Sequence, residues 1–461
     1  MKVFHRDLPQ KIGQSVLVSG WVANRRDHGK VIFVDLRDRS GIIQLVFTPS
    51  HKKVYALAET LKTEWVIEAE GKVVKRPPEM VNNKIPTGEI ELQVERVKIL
   101  NRAEPLPFDI NQDTRQVDEK IRMEYRYLDL RSERMTKNLF LRYKVIQFIR
   151  EYLDKKGFWE IETPILTKST PEGARDYLVP SRQHPGQFYA LPQSPQQMKQ
   201  ILMVAGIERY FQIARCFRDE DPRGDRQPEF TQLDIEVSFM TQNELLDLVE
   251  DLFINLVKKV TPEKRITQIP FPRLSYQKVM KKYHTDRPDL RKNKHDFDEL
   301  AFAFVVDWPM FEYQPEEKRW DPLHHIFTAP KEEDLPLLET NPAAVRSWQH
   351  DLILNGYEVG GGSLRITDPE VQKKVLRLVG LSQDEIETRF GHLLKAFQYG
   401  VPPHGGIAPG IDRIVMILAN EPNIREVIAF PKTGDGRDLM MEAPSEVSSK
   451  QLEELHLVVK K

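Results

Sequence analysis

The chain has 461 residues, and its 68 Lys and Arg residues nearly balance its 69 Asp and Glu residues, for a formal net charge of -1 at pH 7. This balance excludes a protein that attracts nucleic acid through a global positive field, so any RNA contact must come from local basic patches. The single cysteine, Cys216, excludes an internal disulfide and a cysteine-based zinc site, and it fits a reducing compartment. No apolar run is long enough to cross a bilayer and the first residues lack a signal core, so we expect a cytoplasmic protein without a membrane partner.

Residues 15–100 contain a series of short apolar–polar alternations separated by turns, among them VLVSGWV, VIFVDLRD and GIIQLVF. Only residues 54–61 interrupt the series with a helical pattern, so the sequence predicts a small Greek-key barrel of the OB type over residues 1–103. Barrels of this type present a strand face to single-stranded nucleic acid. The candidate contacts are Arg25, Arg26, His28, Phe33 and Gln44, although residue type alone fits Phe33 equally well to the core.

Residues 104–130 are polar, contain proline and show little periodicity, which is typical of a hinge between domains. Ser132 then suits the N-cap of a helix whose apolar residues recur at helical spacing, and Gly157 suits the end of this helix. The sequence therefore predicts a second domain over residues 131–461 that begins with a helix.

Two polar segments follow this helix. The segment TPEGARDYLV, residues 170–179, is too polar for a core strand and by itself fits a solvated turn. The segment LPQSPQQMKQILMVAG, residues 191–206, predicts a helix that places Gln196 and Lys199 on one face. Because a lysine near the start of a helix opposes the helix dipole, we expect an anionic partner for Lys199.

The segment from Arg215 to Phe239 alternates apolar and charged residues on both sides of a charged loop, which predicts a hairpin. Residues two apart on a strand share a face, so Arg218 and Glu220 project together from one arm. Asp234 and Glu236 project together from the other arm, opposite the intervening apolar side chains, which end with Phe239. A solvated hairpin with scattered ion pairs would explain the same pattern.

The segment DPLHHIFTAP supplies His324 and His325, but no further ligand spacing supports a zinc site there. The segment DLILNGYEVGGGSLRI supplies Asp351, Glu358 and Arg365. The two carboxylates suit Mg²⁺, which proteins bind through one or two carboxylates together with substrate phosphates; ordinary ion pairing is the alternative. The glycines between Glu358 and Arg365 allow a ligand to approach the backbone closely.

Residues 400–419, GVPPHGGIAPGIDRIVMILA, predict a glycine-rich strand that leads directly into a helix. Arg413 lies in the first turn, where a cation opposes the helix dipole unless an anion is bound there. The sequence contains neither a GxxxxGK phosphate loop nor a dinucleotide fingerprint. A nucleotide would therefore be held by a different arrangement, of which Arg413 is a candidate member.

Three of these segments, in this order, resemble the signature motifs of the class II aminoacyl-tRNA synthetases. GFWEIETPIL resembles motif 1, Arg218-Asp-Glu220 with the later Phe230 resembles motif 2, and the strand and helix around Arg413 resemble motif 3. The stretch FRDEDPRGDRQPEFTQLDIE is similar to that of bacterial-type aspartyl members. The resemblance implies an α+β fold in which the OB-type barrel precedes a catalytic domain built on an antiparallel sheet flanked by helices, with a homodimer formed through motif 1. The large domain that bacterial members insert is missing here near residues 291–300.

The resemblance also implies roles for individual residues. Arg218 and Arg413 would be catalytic, and Mg²⁺ would bind Asp351 and Glu358. The residues implied to bind ATP are Arg218, Asp219, Glu220, Gln227, Phe230, Glu358, Gly410, Ile411, Asp412 and Arg413. Those implied to bind aspartate are Glu172, Ser194, Gln196, Lys199, Arg218, Asp234, His324 and Arg365. The family's anticodon-binding barrel carries an aromatic residue and a glutamine where Phe33 and Gln44 stand.

The implied amino-acid substrate is L-aspartate, because Arg365 and Lys199, helped by His324, suit a carboxylate, whereas a lysine-charging enzyme would need the reverse charge. Asp234 would either orient the two cations or meet the substrate ammonium. The implied reaction forms aspartyl-adenylate from ATP and then charges tRNA(Asp). Two alternatives stay open, an asparagine-charging relative and a non-catalytic RNA-binding paralogue. Charging of tRNA(Asn) also stays open: His28 resembles the residue at which relaxed members differ from strict ones, but the loop PPEMVNNKIP lacks their usual glycine.

Overall fold

The computed structural model describes residues 2–170 and 173–460. The chain forms two compact units, one comprising Met1–Val117 with Arg131–Thr136 and the other comprising Asp118–Leu130 with Lys137–Lys461. Every helix among the described residues is too short or too polar to span a lipid bilayer.

The first unit is built around a closed five-stranded barrel. Its elements are β1 (Ser15–Asp27), β2 (Ile32–Asp38), β3 (Gly41–Phe47), α1 (Lys52–Thr60), β4 (Val66–Lys75) and β5 (Ile90–Asn101), and the strands close in the order β1-β2-β3-β5-β4. Strand β2 shows why the sequence closes into a barrel, because Ile32, Val34 and Leu36 are fully buried while Phe33 projects to the opposite face. The predicted OB-type barrel is confirmed.

The second unit contains the remaining helices and strands. In chain order these are α2 (Glu119–Glu124), α3 (Arg126–Asp129), α4 (Glu133–Lys155, in this unit from Lys137), β6 (Trp159–Glu160), β7 (Leu178–Pro180), β8 (Phe188–Ala190), α5 (Gln196–Val204), β9 (Arg209–Phe217), β10 (Glu229–Ser238), α6 (Gln242–Val260), β11 (Arg265–Ile266), β12 (Arg273–Ser275), α7 (Tyr276–Tyr283), β13 (Glu299–Leu300), β14 (Phe302–Val306), β15 (Phe311–Gln314), β16 (Arg319–Pro322), α8 (Leu337–Thr340), β17 (Gln349–Leu354), β18 (Tyr357–Leu364), α9 (Pro369–Leu378), α10 (Gln383–Phe397), β19 (His404–Pro409), α11 (Ile411–Leu418) and α12 (Ser449–Glu454).

An eight-stranded sheet in the order β12-β14-β17-β18-β19-β10-β9-β6 forms the centre of the second unit. Its inner pairs are antiparallel, and only the edge pairs β12–β14 and β6–β9 are parallel. Helices α4, α6 and α11 pack on one face, against Leu233, Ile235 and Val237 of β10. The predicted α+β fold, an antiparallel sheet flanked by helices, is therefore confirmed. Phe239 does not continue this face, because β10 ends at Ser238 and Phe239 is 65% exposed.

Residues 118–130, which the sequence predicts as part of a hinge, contain arginines buried in the second unit. Arg122 donates from both of its terminal nitrogens to Glu426, each at 3.0 Å. Arg126 donates to Asp129 at 2.7 Å and to the backbone oxygens of residues 425, 428 and 429 at 2.6–2.9 Å. Since a buried guanidinium needs all of these acceptors, this part of the predicted hinge is held firmly in the second unit.

The connection between α7 and β13, residues 284–298, is short. An ion pair of 2.8 Å between Arg291 and Asp289 braces its middle, and β13 then pairs with β11. This compact connection stands where the sequence predicts that the large inserted domain is missing.

Candidate active site

A cleft that is open to solvent lies on the face of the eight-stranded sheet opposite α4, α6 and α11. Strand alternation places it there, because Asp234 faces the cleft while Leu233 and Ile235 face the core. The predicted site residues that line the cleft are Ser194, Gln196, Lys199, Arg218, Glu220, Gln227, Phe230, Asp234, His324, Glu358, Arg365, Gly410, Asp412 and Arg413. Asp219, Asp351 and Ile411 do not line it, and Glu172 lies outside the described residues.

Two cations and two carboxylates form a buried cluster in the wall of the cleft. Lys199 Nζ lies 2.6 Å from Asp234 Oδ1 and 3.2 Å from Glu236 Oε2. Arg365 donates from Nε and Nη2 to the two oxygens of Glu236, at 2.8 and 2.9 Å. Gly406 makes room for this arrangement, since a Cβ at that position would lie 2.1 Å from Glu236 Oε2. The anionic partner expected for Lys199 is therefore supplied by the protein itself.

Burial disfavours the charged forms of both carboxylates, and the neighbouring cations counteract it to different degrees. Burial alone would raise the pKa of Glu236, but Arg365 and Lys199 lower it to about 2. Burial raises the pKa of Asp234 above its ordinary value, although Lys199 opposes the rise. Asp234 Oδ2 has no hydrogen-bond partner among the described residues. Glu236 is thus the permanent counter-ion of the cluster, whereas Asp234 keeps an acceptor for a ligand.

Each cation of the cluster also keeps a hydrogen-bond donor. An ammonium has three N–H groups, and Lys199 directs at most two of them to Asp234 and Glu236. A guanidinium has five N–H groups, and Arg365 uses four of them on Glu236, His325 and Ser363. One N–H of Lys199 and one of Arg365 are left over by this count, and both residues line the cleft.

The two neighbouring histidines have different surroundings. The imidazole of His324 lies edge-on against Trp308, with ring centroids 4.5 Å apart, and its buried Nε2 has no hydrogen-bond partner among the described residues. Burial lowers the pKa of His324 to about 4, so this imidazole is neutral at pH 7. Nε2 of His325 accepts a hydrogen bond of 2.6 Å from Arg365 Nη1. His324 therefore offers a ligand a neutral hydrogen-bonding group, and His325 helps to orient Arg365.

Arg218 has no acidic partner among the residues that the structure describes. Its buried Nε lacks a hydrogen-bond acceptor, again counting described residues alone, and its guanidinium lies 5.0 Å from the ring centroid of Phe230. The register of the β9–β10 hairpin, which pairs Cys216 with Phe230, brings the two side chains together. The result is a guanidinium available to an anion beside an aromatic face.

Arg413 is occupied by groups from the protein. Its Nη1 donates to the backbone oxygen of Glu358 at 2.6 Å, and its Nη2 lies 3.1 Å from Asp225 Oδ2. Asp225 belongs to the loop between β9 and β10, in which Arg226 also pairs with Glu220 at 3.4 Å. The anion expected in the first turn of α11 is therefore present as a carboxylate of the same chain.

Asp412 and Gln227 line the cleft, but their polar atoms are used elsewhere. Asp412 accepts hydrogen bonds from Arg142 Nη1 at 2.5 Å and from the backbone N–H of Thr231 at 2.9 Å. The Gln227 amide donates to the backbone oxygen of Lys432 at 3.1 Å and accepts from its N–H at 2.7 Å. Both side chains hold neighbouring segments together, and direct binding of ATP by either of them stays a prediction.

Ile411 and Asp219 do not line the cleft, and their contacts with ATP stay predictions. The side chain of Ile411 is fully buried in the core beneath the sheet, so it cannot reach a ligand in the cleft. Asp219 follows the end of β9, and its carboxylate lies 3.9 Å from Arg175.

Asp351 and Glu358 face each other across Gly361. A Cβ on Gly361 would lie 3.3 Å from Asp351 Oδ1 and 3.4 Å from Glu358 Oε1. Burial, together with the charge of Glu358, raises the pKa of Asp351 well above its ordinary value. Two carboxylates that repel each other and flank the same glycine are a donor set that fits a divalent cation. The described residues contain no group of three or more His, Cys, Asp or Glu that could hold a metal by themselves, so the cation would need oxygen atoms of a substrate as well.

The residues that the sequence failed to predict are those that hold the site together. Strand alternation predicts the face on which Glu236 lies, but not that it binds both Lys199 and Arg365. The available signal was indirect: two cations expected in one apolar-backed pocket require a buried counter-ion, and Glu236 shares a face with Asp234.

In the first unit, four of the five candidate RNA-contacting residues lie close together. Phe33 packs edge-on against His28, with ring centroids 5.7 Å apart. Nη2 of Arg26 lies 3.4 Å from the Gln44 side-chain oxygen, and the Gln44 amide donates to buried Glu91 at 3.2 Å. Phe33 does not belong to the barrel core, which decides between the two options that its residue type left open. The face combines an aromatic ring with donors and acceptors, as single-stranded nucleic acid requires.

Comparisons with known proteins match both units. Residues 118–434 match the family described as tRNA synthetases class II (D, K and N), and residues 16–100 match the OB-fold nucleic acid binding domain. A protein of Rubrobacter xylanophilus named Aspartate--tRNA(Asp/Asn) ligase is 45% identical, over 97% of this chain and 94% of that protein. A protein of Geobacillus kaustophilus named Aspartate--tRNA ligase is 44% identical, over 97% of each chain. The first alignment extends over 569 positions although this chain has 461 residues, so that relative carries residues without a counterpart here.

Solved structures of similar fold are less similar in sequence. The asparaginyl-tRNA synthetase of Pyrococcus horikoshii complexed with asparaginyl-adenylate has a TM-score of 0.76 at 22% identity, over 94% of this chain and 98% of that one. The aspartyl-tRNA synthetase of Entamoeba histolytica has a TM-score of 0.73 at 22% identity, over 94% and 91%. These likenesses concern the fold alone. The match over residues 118–434 and the closely related sequences show that the chain belongs to the class II tRNA synthetase family.

Proposed function

We propose that the protein is an aspartate–tRNA ligase, which activates L-aspartate with ATP and transfers it to tRNA(Asp). The observation that carries the proposal is the charge of the amino-acid half of the cleft. Lys199, Arg218 and Arg365 contribute three positive charges there, and Asp234 and Glu236 contribute two negative charges. Among the described residues, which do not include Glu172, the resulting charge of +1 complements aspartate, which carries -1, better than it does neutral asparagine or cationic lysine.

The groups left over in the cleft match the groups of aspartate one by one. The side-chain carboxylate of aspartate would accept hydrogen bonds from the remaining N–H groups of Lys199 and Arg365. The ammonium would donate to Asp234 Oδ2, and the α-carboxylate would bind Arg218, whose Nε has no partner among the described residues. Gln196, whose Nε2 is also without a partner in the described chain, adds a further donor, and Ser194 lies beside it in the cleft wall.

ATP would occupy the other half of the cleft. Phe230 offers its ring to the adenine, Glu220 offers an acceptor to the adenine amino group, and Arg413 offers its guanidinium to the phosphates once they replace Asp225. Gly410 lines this half and lets the chain pass close to a ligand. Asp351 and Glu358 would hold Mg²⁺, which supplies charge neutralisation to the phosphates when bound.

The first reaction needs positioned charges and no protein nucleophile. An oxygen of the α-carboxylate forms a bond to the α-phosphorus of ATP, and the bond from that phosphorus to pyrophosphate breaks. Arg218 lies where it can hold both anionic reactants and neutralise the charge that develops between them. In the second reaction, a ribose hydroxyl of the tRNA terminal adenosine attacks the aspartyl carbonyl, and AMP leaves.

ATP–pyrophosphate exchange, measured separately with aspartate, asparagine and lysine, tests the proposed substrate. Exchange that depends on aspartate alone would support the charge argument. Exchange with asparagine would favour the asparagine-charging alternative, and no exchange with a folded protein would favour the RNA-binding paralogue.

The choice of tRNA is tested by charging two transcripts. We propose tRNA(Asp) as the substrate, and the relative of Rubrobacter xylanophilus, whose name covers Asp and Asn tRNAs, is the reason to measure tRNA(Asn) beside it. Comparable aspartylation of both transcripts would extend the proposal to tRNA(Asn), and charging of tRNA(Asp) alone would limit it.

We propose a homodimer formed through α4 and β6. Phe140 and Tyr143 of α4 are each 55% exposed and Trp159 of β6 is 63% exposed, an aromatic surface that a second copy would cover. Sedimentation equilibrium measures the mass directly, and Tyr143→Glu should shift it toward the monomer.

A cytoplasmic location fits the buried thiol of Cys216, because burial raises the pKa of this thiol to about 12.

The KM for aspartate is expected to stay constant between pH 6 and pH 8. A histidine of ordinary pKa would gain a proton on going from pH 8 to pH 6 and would attract the substrate carboxylate more strongly at the lower pH. Because the pKa of His324 is lowered to about 4, its charge does not change over this range. Initial rates of exchange at pH 6, 7 and 8, at saturating ATP, give the KM values. A KM that falls severalfold toward pH 6 in the wild type but not in His324→Gln would contradict this assignment.

Replacing Phe33 with alanine should weaken tRNA binding without affecting aspartate activation. The ring lies outside the barrel core, so its loss leaves the packing of Ile32 and Val34 unchanged. Stacking on a base is worth about 1–3 kcal/mol, so the KM for tRNA should rise about 5- to 150-fold. Aminoacylation and ATP–pyrophosphate exchange are compared, and Phe4→Ala, an aromatic truncation elsewhere in this unit, is the control. An unchanged KM for tRNA would remove Phe33 from the RNA face.

A further inference from the structure

Helix α4 contributes an arginine to the region beneath the nucleotide half of the cleft. Nη1 of Arg142 donates to Asp412 Oδ1 at 2.5 Å and lies 3.5 Å from the backbone oxygen of Val427. The side chain of Arg142 is 17% exposed and that of Asp412 only 5%. Arg142 therefore reaches inward from α4 and does not itself line the cleft, whereas its partner Asp412 does.

Asp412 connects this arginine to two parts of the site. Its second oxygen, Oδ2, accepts a hydrogen bond of 2.9 Å from the backbone N–H of Thr231, the residue after Phe230. Asp412 also precedes Arg413 in the first turn of α11. A single carboxylate thus fixes the strand that carries Phe230 and the helix turn that carries Arg413.

We propose that Arg142 is a positioning residue for ATP, acting through Asp412 on Phe230 and Arg413. This inference rests on the proposed function, in which ATP is a substrate, but a measurement of ATP affinity tests it without turnover. Without Arg142, the buried Asp412 carboxylate loses its charged partner and the hydrogen bond that fixes its direction. Thr231 and the first turn of α11 then lose a common anchor, and small displacements of positioning groups have large kinetic effects.

The aspartate half of the cleft should not respond. Lys199, Asp234, Glu236 and Arg365 form a cluster that has no contact with Arg142 or Asp412 among the described hydrogen bonds and ion pairs. A role confined to the nucleotide half therefore predicts a change for one substrate and none for the other, which a general loss of stability would not produce.

Calorimetric titration with ATP alone, without aspartate, measures the predicted effect. Arg142→Ala should raise the Kd for ATP by about 10- to 100-fold and should leave the KM for aspartate in exchange within about twofold of wild type. Arg142→Lys, which keeps the charge but loses the planar fork, should recover part of the affinity. Arg346→Ala is the matched control, since that guanidinium pairs with Asp334 at 2.8 Å in the same unit and is 47% exposed; its Kd for ATP should be unchanged.

A double-mutant cycle separates positioning from a direct contact. If Arg142 acts through Asp412, adding Arg142→Ala to Asp412→Asn should change the Kd for ATP by less than about twofold. An unchanged Kd in Arg142→Ala, or equal losses for ATP and aspartate, would overturn the proposal. Sedimentation of each variant excludes dissociation as the cause, and Arg142→Gln replaces Arg142→Ala if the latter does not fold. A wild-type protein that binds ATP but shows no aspartate-dependent exchange would refute the proposed function. The role of Arg142 in ATP binding would then still be decided by the Kd values for ATP.

Discussion

Replacing Arg218 with alanine is expected to lower the rate of aspartate-dependent ATP–pyrophosphate exchange by about 1,000-fold, the effect of losing a donor that stabilises developing charge. The guanidinium has no acidic partner among the described residues, and its Nε is buried without an acceptor there. It can therefore bind an anion that the described residues do not supply. Its loss removes the group that would contact both reacting anions.

The fold should survive this substitution. Arg218 satisfies no buried carboxylate of the described chain, so its removal leaves no charge uncompensated, and the circular dichroism spectrum and thermal midpoint should remain close to those of the wild type. This is the reverse of what a structural arginine would show.

Arg215→Ala supplies the matched control. Arg215 lies on β9, which ends at Phe217 just before Arg218, and it pairs with Glu229 and is half exposed. Exchange by this variant should stay within about twofold of wild type, as expected for an exposed ion pair. Near-normal exchange by Arg218→Ala would contradict the assignment of motif 2, and equal losses in both variants would point to damage of the hairpin.

The parts of the fold that follow from local periodicity could be predicted from the sequence. Alternation predicts the barrel strands and the two faces of β10, because neighbouring side chains on a strand must point in opposite directions. The glycine-rich stretch before Arg413 predicts a strand that leads into a helix, and the structure has β19 followed by α11. These predictions do not depend on which segments, distant in sequence, contact each other in the fold.

Partners distant in sequence could not be predicted from periodicity. Glu236 and Arg365 are far apart along the chain, and only the neighbouring positions of β10, β19 and β18 in the sheet bring them together. The same holds for Asp412, whose charge suggests a ligand contact but whose oxygens are taken by Arg142 and Thr231. Resemblance to a family supplied the site residues, but it did not indicate which of them contact the ligand and which hold its neighbours.

Replacing Arg365 with lysine is expected to raise the KM for aspartate by about 10- to 100-fold while leaving the KM for ATP nearly unchanged. Lysine keeps the charge but has three N–H donors where the guanidinium has five. Glu236, His325 and Ser363 together take four donors from Arg365, so a lysine has none left for the substrate. One hydrogen bond to a charged group is worth about 1.5–3 kcal/mol, which corresponds to the expected change in KM.

Arg365→Leu should add a loss of stability to the loss of binding. Glu236 would then keep Lys199 as its remaining cation, and breaking a buried ion pair in this way costs about 3–5 kcal/mol of unfolding free energy. Chemical denaturation of Arg365→Lys and Arg365→Leu separates the two effects, because only the leucine variant removes the positive charge. Arg377→Lys controls for the substitution itself, because Arg377 is an exposed arginine of α9 that is hydrogen-bonded to Gln383.

If Arg365→Lys instead raised the KM for ATP as much as that for aspartate, Arg365 would serve the shape of the whole cleft. If it changed neither KM, the substrate carboxylate would have to bind elsewhere, and the charge argument for aspartate would rest on Lys199 and Arg218 alone.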